Sequence, residues 1–155
     1  MKLEWIFLAE GFGRDAKQAV TAIGINQNIN PVQELPATSK RGLFAHVSDV
    51  EGRLREGDTI GVTLEIKNPS GRTISAQTAE MPLAPRVWPD LPYSVDIVTE
   101  SIVRFDEFGA YLFAITLTHV DRDGRSESVS GEVPLYVKKQ PLPTAGSQPL
   151  LDAAP

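Results

Sequence analysis

The chain has 155 residues, enough for one domain that buries on the order of 70% of its unfolded surface and needs neither metal nor disulfide to hold its core. It contains no cysteine, which excludes disulfides, thiolate metal sites and cysteine nucleophiles. A balance of 15 basic against 20 acidic residues gives a net charge of −5, which argues against nucleic acid and against a membrane surface as partners.

In chain order, Leu3, Trp5, Phe7 and Ala9 alternate with Glu4, Ile6, Leu8 and Glu10. The alternation predicts a strand with one apolar and one mixed face, placed inside a sheet. The charges of Lys2, Glu4 and Glu10 interrupt the opening apolar run. It therefore suits neither a signal peptide nor a membrane helix, and a cytoplasmic protein is expected. Gly11-Phe12-Gly13-Arg14-Asp15 breaks the first strand, a second is predicted over Ala19 to Ile25, and the Asn- and Pro-rich stretch from Asn26 to Pro36 reads as a connection.

A third strand is predicted from Leu43 to Val50, followed by a turn at Arg55-Glu56-Gly57-Asp58. Ile60, Val62, Leu64 and Ile66 alternate cleanly with Gly61, Thr63, Glu65 and Lys67, implying one dry and one wet face. Asn68-Pro69-Ser70-Gly71 closes a hairpin, and Ile74, Ala76 and Thr78 carry its return. Pro82, Pro85, Pro89 and Pro92 then enforce an irregular crossover around Trp88. Strand character resumes from Val95 to Val103.

The clearest prediction is a long hairpin between Phe105 and Val137. Tyr111, Phe113, Ile115 and Leu117 form one apolar row, Asp121-Arg122-Asp123-Gly124 supplies the turn, and Val129, Val133, Leu135 and Val137 return on the same face. Tyr111 follows a glycine-containing corner, where immunoglobulin-like sandwiches place a tyrosine that bonds back to the corner. No window has a helical period with caps. These elements predict an all-β fold, an immunoglobulin-like sandwich of two antiparallel sheets with about seven or eight strands over residues 1–138, and a Pro-rich flexible tail over 139–155.

The opening Trp5-Ile6-Phe7-Leu8-Ala9-Glu10, the segment Ala22-Ile23-Gly24-Ile25, the late Phe108-Gly109-Ala110-Tyr111-Leu112-Phe113 and the closing Val133-Pro134-Leu135-Tyr136-Val137 together carry a resemblance. In these stretches the chain resembles a family of small bacterial β-sandwich proteins of uncharacterised function. The resemblance implies the fold and the order of elements from Met1 to Lys138, and no activity or catalytic residue.

Chemistry is sparse. His46 lies near Asp49 and His119 near Asp121, but a metal site needs both histidines to converge, and isolated strand histidines are commonly surface or capping residues. Asp121-Arg122-Asp123-Gly124 starts like a calcium loop but lacks the later glutamate at the required spacing, so a hairpin turn is expected. The acid pairs Asp49 with Glu51, Asp96 with Glu100, and Asp106 with Glu107 read as solvated, and no serine sits in a nucleophile elbow. No cofactor, no metal and no enzymatic activity are expected.

Binding fits better. Trp88 beside Arg86 is either an interface anchor or a plug for an open end of the sandwich. Leu150 and Leu151 form either a short docking peptide or part of an inert tail. The sequence thus predicts a non-catalytic protein-interaction module, with Arg86, Trp88, Leu150 and Leu151 as partner-binding residues. Two alternatives stand beside it. One is a structural subunit of a homo-oligomer, and the other a small-molecule-binding, carbohydrate-binding or hydrolytic sandwich that uses Trp5, Trp88 and Tyr93.

Overall fold

A computed structural model of the chain describes residues 1–14, 20–25, 28–86, 90–121 and 123–141. The protein is all-β. Ten strands run in order through the described residues: β1 (Lys2–Ala9), β2 (Gly11–Arg14), β3 (Val20–Ile23), β4 (Ile29–Val32), β5 (Ala37–Ser48), β6 (Thr59–Lys67), β7 (Thr73–Pro82), β8 (Ser94–Phe105), β9 (Gly109–Val120) and β10 (Ser126–Lys139). They form a three-stranded sheet in the order β1-β5-β8, a five-stranded sheet in the order β4-β10-β9-β6-β7, and the pair β2-β3. No helix among the described residues is long and apolar enough to cross a membrane.

The expected long hairpin is present and lies at the centre of the five-stranded sheet. β9 pairs antiparallel with β10, Tyr111 opposite Leu135 and Phe113 opposite Val133, and on its other side β9 pairs with β6. The period of two works as predicted: Tyr111, Phe113, Ile115 and Leu117 are each at most 1% exposed, while Thr116 and Thr118 face outward and bond to Ser130 and Ser128 of β10. Each of these buried side chains contributes about 1.5–3 kcal/mol through the apolar surface it removes from water. From the other sheet Leu8, Leu43, Ala45, Val47, Ile97, Val103 and Phe105 join the same core.

Tyr111 bonds back to its corner as expected. Its hydroxyl oxygen accepts from the amides of Asp106 and Glu107 at 3.2 and 3.3 Å, and its proton goes to the Glu107 carbonyl at 3.2 Å. Its ring meets Phe105 edge-on at 4.8 Å, tying the end of β8 to the start of β9 and hence one large sheet to the other.

Several expectations give way. Ten strands in three sheets replace the seven or eight in two, and the pairing is not wholly antiparallel, because β4 runs parallel to β10. β4 lies inside the stretch read as a connection. It sits at a sheet edge, where Pro31 is tolerated because the outer side requires no N–H. The glycine-rich break after the first strand is itself β2, paired with β3 from Gly11 opposite Ile23 to Arg14 opposite Val20. β5 begins at Ala37, six residues before Leu43, through the polar residues Thr38, Ser39 and Lys40, which give no hydrophobic signal.

β1 is an edge strand instead of an interior one. Its register with β5 shifts between Leu3 and Trp5, and a bulge of this kind inverts which residues face inward. Ile6 and Leu8 therefore pack inward, while Trp5 is 66% exposed. At the far end of this outer face Phe7, Phe12 and Phe44 cluster, with Phe7 and Phe44 stacked at 4.8 Å. Phe12 comes from β2 and lies on the bare backbone of Gly42, where a Cβ would meet its ring at 2.2 Å. The β2-β3 pair thus covers the aromatic end of the three-stranded sheet and leaves Trp5 in the open.

β10 runs to Lys139, and the Gln140 amide still donates to the Val32 carbonyl at 2.8 Å. β10 therefore takes in residue 139, the first residue of the stretch expected as a tail. Residues 142–155, with Leu150 and Leu151, lie outside the described residues.

Candidate functional site

Of the four predicted partner-binding residues, Arg86 alone is described; Trp88, Leu150 and Leu151 lie outside the described residues. The Arg86 guanidinium donates to the Leu54 carbonyl at 3.1 Å and to the Leu91 carbonyl at 3.2 Å, and it stacks 4.4 Å above the Tyr93 ring. Tyr93 is 7% exposed and donates to the Ala84 carbonyl at 3.1 Å. This side chain braces the crossover against the β5-β6 loop. A shallow cavity of about 430 Å³ beside it is lined by Pro82, Pro85, Leu91, Tyr93 and Asp96.

The two histidines lie in different sheets and do not converge. His46, on β5, stands opposite Trp5 of β1 on one side and Asp96 of β8 on the other. Its ring lies 5.4 Å from the indole, and Nδ1 donates to Asp96 Oδ1 at 2.7 Å. His119, at the end of β9, is 2% exposed, and its Nε2 donates to Asp58 Oδ2 at 3.0 Å. A carboxylate oxygen can only accept, which fixes the protonated nitrogen in each case. Among the described residues no group of three metal-ligating side chains gathers.

The acid pairs are engaged singly. Asp49 is fully buried and caps the Leu54 amide at 2.7 Å. Glu100 meets Lys40 at 2.8 Å, Asp106 meets Arg104 at 2.8 Å, and Glu107 accepts from Asn68 at 2.6 Å. The Lys40 ammonium holds the Glu100 carboxyl below the usual carboxylate value, and the Phe12 amide adds to this. The hairpin turn uses Asp121 Oδ1 on the amides of Asp123 and Arg125 at 2.9 and 2.8 Å, with Gly124 at φ +77°.

The surface that stands out is an edge. β7 closes the five-stranded sheet and, among the described residues, pairs only with β6. All of its residues except Ser75 and Met81 are exposed, and in ten residues its one charge is Glu80. The other edges of the two large sheets are protected in the ways natural sheets use. β4 is four residues long and holds Pro31, β1 carries Lys2, Glu4 and a bulge, and β8 carries Asp96, Glu100 and Arg104. β7 has Glu80, its closing Pro82 and a register shift with β6 between Thr73 and Ser75, which leaves Ala76 to Ala79 without charge, proline or bulge.

Sequence reasoning identified the β7 segment as a return strand but could not see that it ends a sheet. The shortage of charge was visible; the strand order was not. It also missed the exposure of Trp5, which the bulge creates, and the bond between His119 and Asp58, which are 61 positions apart.

No family model matches the chain, and no curated protein matches it.

Proposed function

We propose that this chain is a non-catalytic protein-interaction module, an immunoglobulin-like sandwich of the two large sheets that takes up an extended segment of a protein partner along the free edge of β7. The observation that carries the reading is the contrast between the uncharged stretch Ala76 to Ala79 of β7 and the three other edges of those sheets. An unprotected strand presents a row of N–H and C=O groups that a partner strand satisfies, and alternate side chains set the specificity. Here those side chains are Ala76 and Thr78 on one face, and Gln77 and Ala79 on the other. The likeness to small bacterial β-sandwich proteins and a cytoplasmic location belong to the same proposal, with neither nucleic acid nor membrane as partner.

Self-association through this edge is the second reading. The single charge on β7 lets two copies pair antiparallel without opposing Glu80 to itself, provided the two-fold axis lies away from that residue. Affinity capture from native lysate with the full chain and with the double variant Ala76→Lys, Thr78→Lys tests the main reading. A partner held by the wild type and lost by the variant supports it, and identical partners on both would overturn it. Light scattering separates the two readings: a dimeric mass that the variant reduces to one chain favours self-association.

A further inference from the structure

At the end of the five-stranded sheet, away from the Tyr111 corner, two turns lie side by side because Ile60 of β6 stands opposite His119 of β9. One is the turn at Arg55–Asp58. It is closed by the Asp58 amide donating to the Arg55 carbonyl at 3.0 Å and by the Arg55 amide donating to Asp58 Oδ2 at 2.9 Å. The other is the β9-β10 turn, in which the Arg125 amide donates to Asp121 Oδ1 at 2.8 Å and its carbonyl accepts from the Asp121 amide at 2.9 Å. Between them lies a cleft of about 700 Å³ lined in part by the buried His119–Asp58 pair, a size that suits a small ligand.

Both arginines line this cleft, and among the described residues neither guanidinium has a hydrogen bond or ion pair. Both also have backbones pinned by their turns, so the two forks are presented from fixed points. The acids around them are mostly engaged. Asp58 holds His119, Asp121 holds its turn, and Glu127 Oε1 accepts from the Met1 ammonium at 2.5 Å, which leaves Asp123 as the acid whose carboxylate has no partner among the described residues. The cleft lining as a whole sets Arg53, Arg55 and Arg125 against the carboxylates of Asp58, Asp121, Asp123 and Glu127, so the two unpaired guanidinium groups act as local hydrogen-bond donors and not through a net positive field.

We propose that this cleft binds a doubly charged oxyanion, a phosphate group or a paired carboxylate, between Arg55 and Arg125 above the His119–Asp58 pair. Guanidinium forks match the geometry of either oxyanion. The site is independent of the β7 edge, so either proposal can fail without the other.

Calorimetric titration of the full chain at low salt with inorganic pyrophosphate, and separately with citrate, tests it. Each titration is repeated on Arg55→Gln, Arg125→Gln and, as a control outside the cleft, Arg104→Gln, with thermal melts to confirm that all three fold. Saturable binding weakened at least about tenfold by each cleft variant and unchanged by Arg104→Gln is the expected result. Response to pyrophosphate alone assigns a phosphate ligand, and to citrate alone a carboxylate. No saturable heat from either anion up to about 10 mM, or an isotherm that the cleft variants leave unchanged or that Arg104→Gln weakens equally, would overturn the site.

Discussion

His119 and Asp58, 61 positions apart, meet at the end of the five-stranded sheet in a 3.0 Å hydrogen bond with both side chains nearly excluded from water. Asp58 Oδ2 also accepts the Arg55 amide, so one carboxylate anchors the end of β9 and closes the turn before β6. Replacing it by alanine strands a buried imidazole N–H and a turn amide. Asp58→Ala should therefore cost about 3 kcal/mol, the range for orphaning buried polar groups of this kind. Urea unfolding checks this, with a lower midpoint and an unchanged slope expected.

The corner at Tyr111 makes a second, separable prediction. Tyr111→Phe keeps the ring against Phe105 and removes only the hydroxyl, which bonds to the backbone of Asp106 and Glu107. A loss of about 1–2 kcal/mol is expected by chemical denaturation. An unchanged midpoint would show that water replaces the hydroxyl at no cost.

Gly42 and Phe12 should behave as a coupled pair. A methyl group at Gly42 meets the Phe12 ring at 2.2 Å, so Gly42→Ala must push the β2-β3 pair off the outer face of β5. The expected cost is about 1–3 kcal/mol. In a Phe12→Ala background the ring is gone and the cost should largely vanish, which a double-mutant cycle measures directly.

Stability should also depend on the Lys40–Glu100 pair across β5 and β8. The Glu100 carboxyl titrates below its ordinary value because Lys40 bonds its charged form. A depressed folded-state value means a stabilising contribution that is present above the unfolded-state value and lost as pH falls through the folded one. Both groups are substantially exposed, so the effect is small and screened by salt. Melting temperatures of wild type and Glu100→Gln should differ at neutral pH in low salt and converge on acidification.

The central hairpin was legible in the sequence because one face of β9 is fully buried, and a period of two then prints directly as Tyr111, Phe113, Ile115 and Leu117. β6 was legible for the same reason, and the turn residues Asn68 to Gly71 marked the return into β7, which has no buried face of its own. What the pattern could not carry was anything set by pairing instead of burial. β2 and β4 are short and half exposed and leave no apolar rhythm. The first six residues of β5 are mainly polar. In β1, the bulge between Leu3 and Trp5 reverses the expected faces, so the row that looked most like core ends in the open with Trp5. Of the predicted partner-binding residues only Arg86 lies among the described residues, and the β7 edge and the Arg55–Arg125 cleft depend on strand order, which hydrophobic periodicity does not encode.

Hydrogen exchange along β7 tests the central claim most directly, read in the chain alone and in the complex recovered by capture from native lysate. In the free chain the β7 amides that point away from β6 should exchange fast, and in the complex those same amides should slow by at least about tenfold while the other sheet edges stay unchanged. Equal β7 exchange in both states, with protection appearing on another surface, would contradict strand addition at this edge.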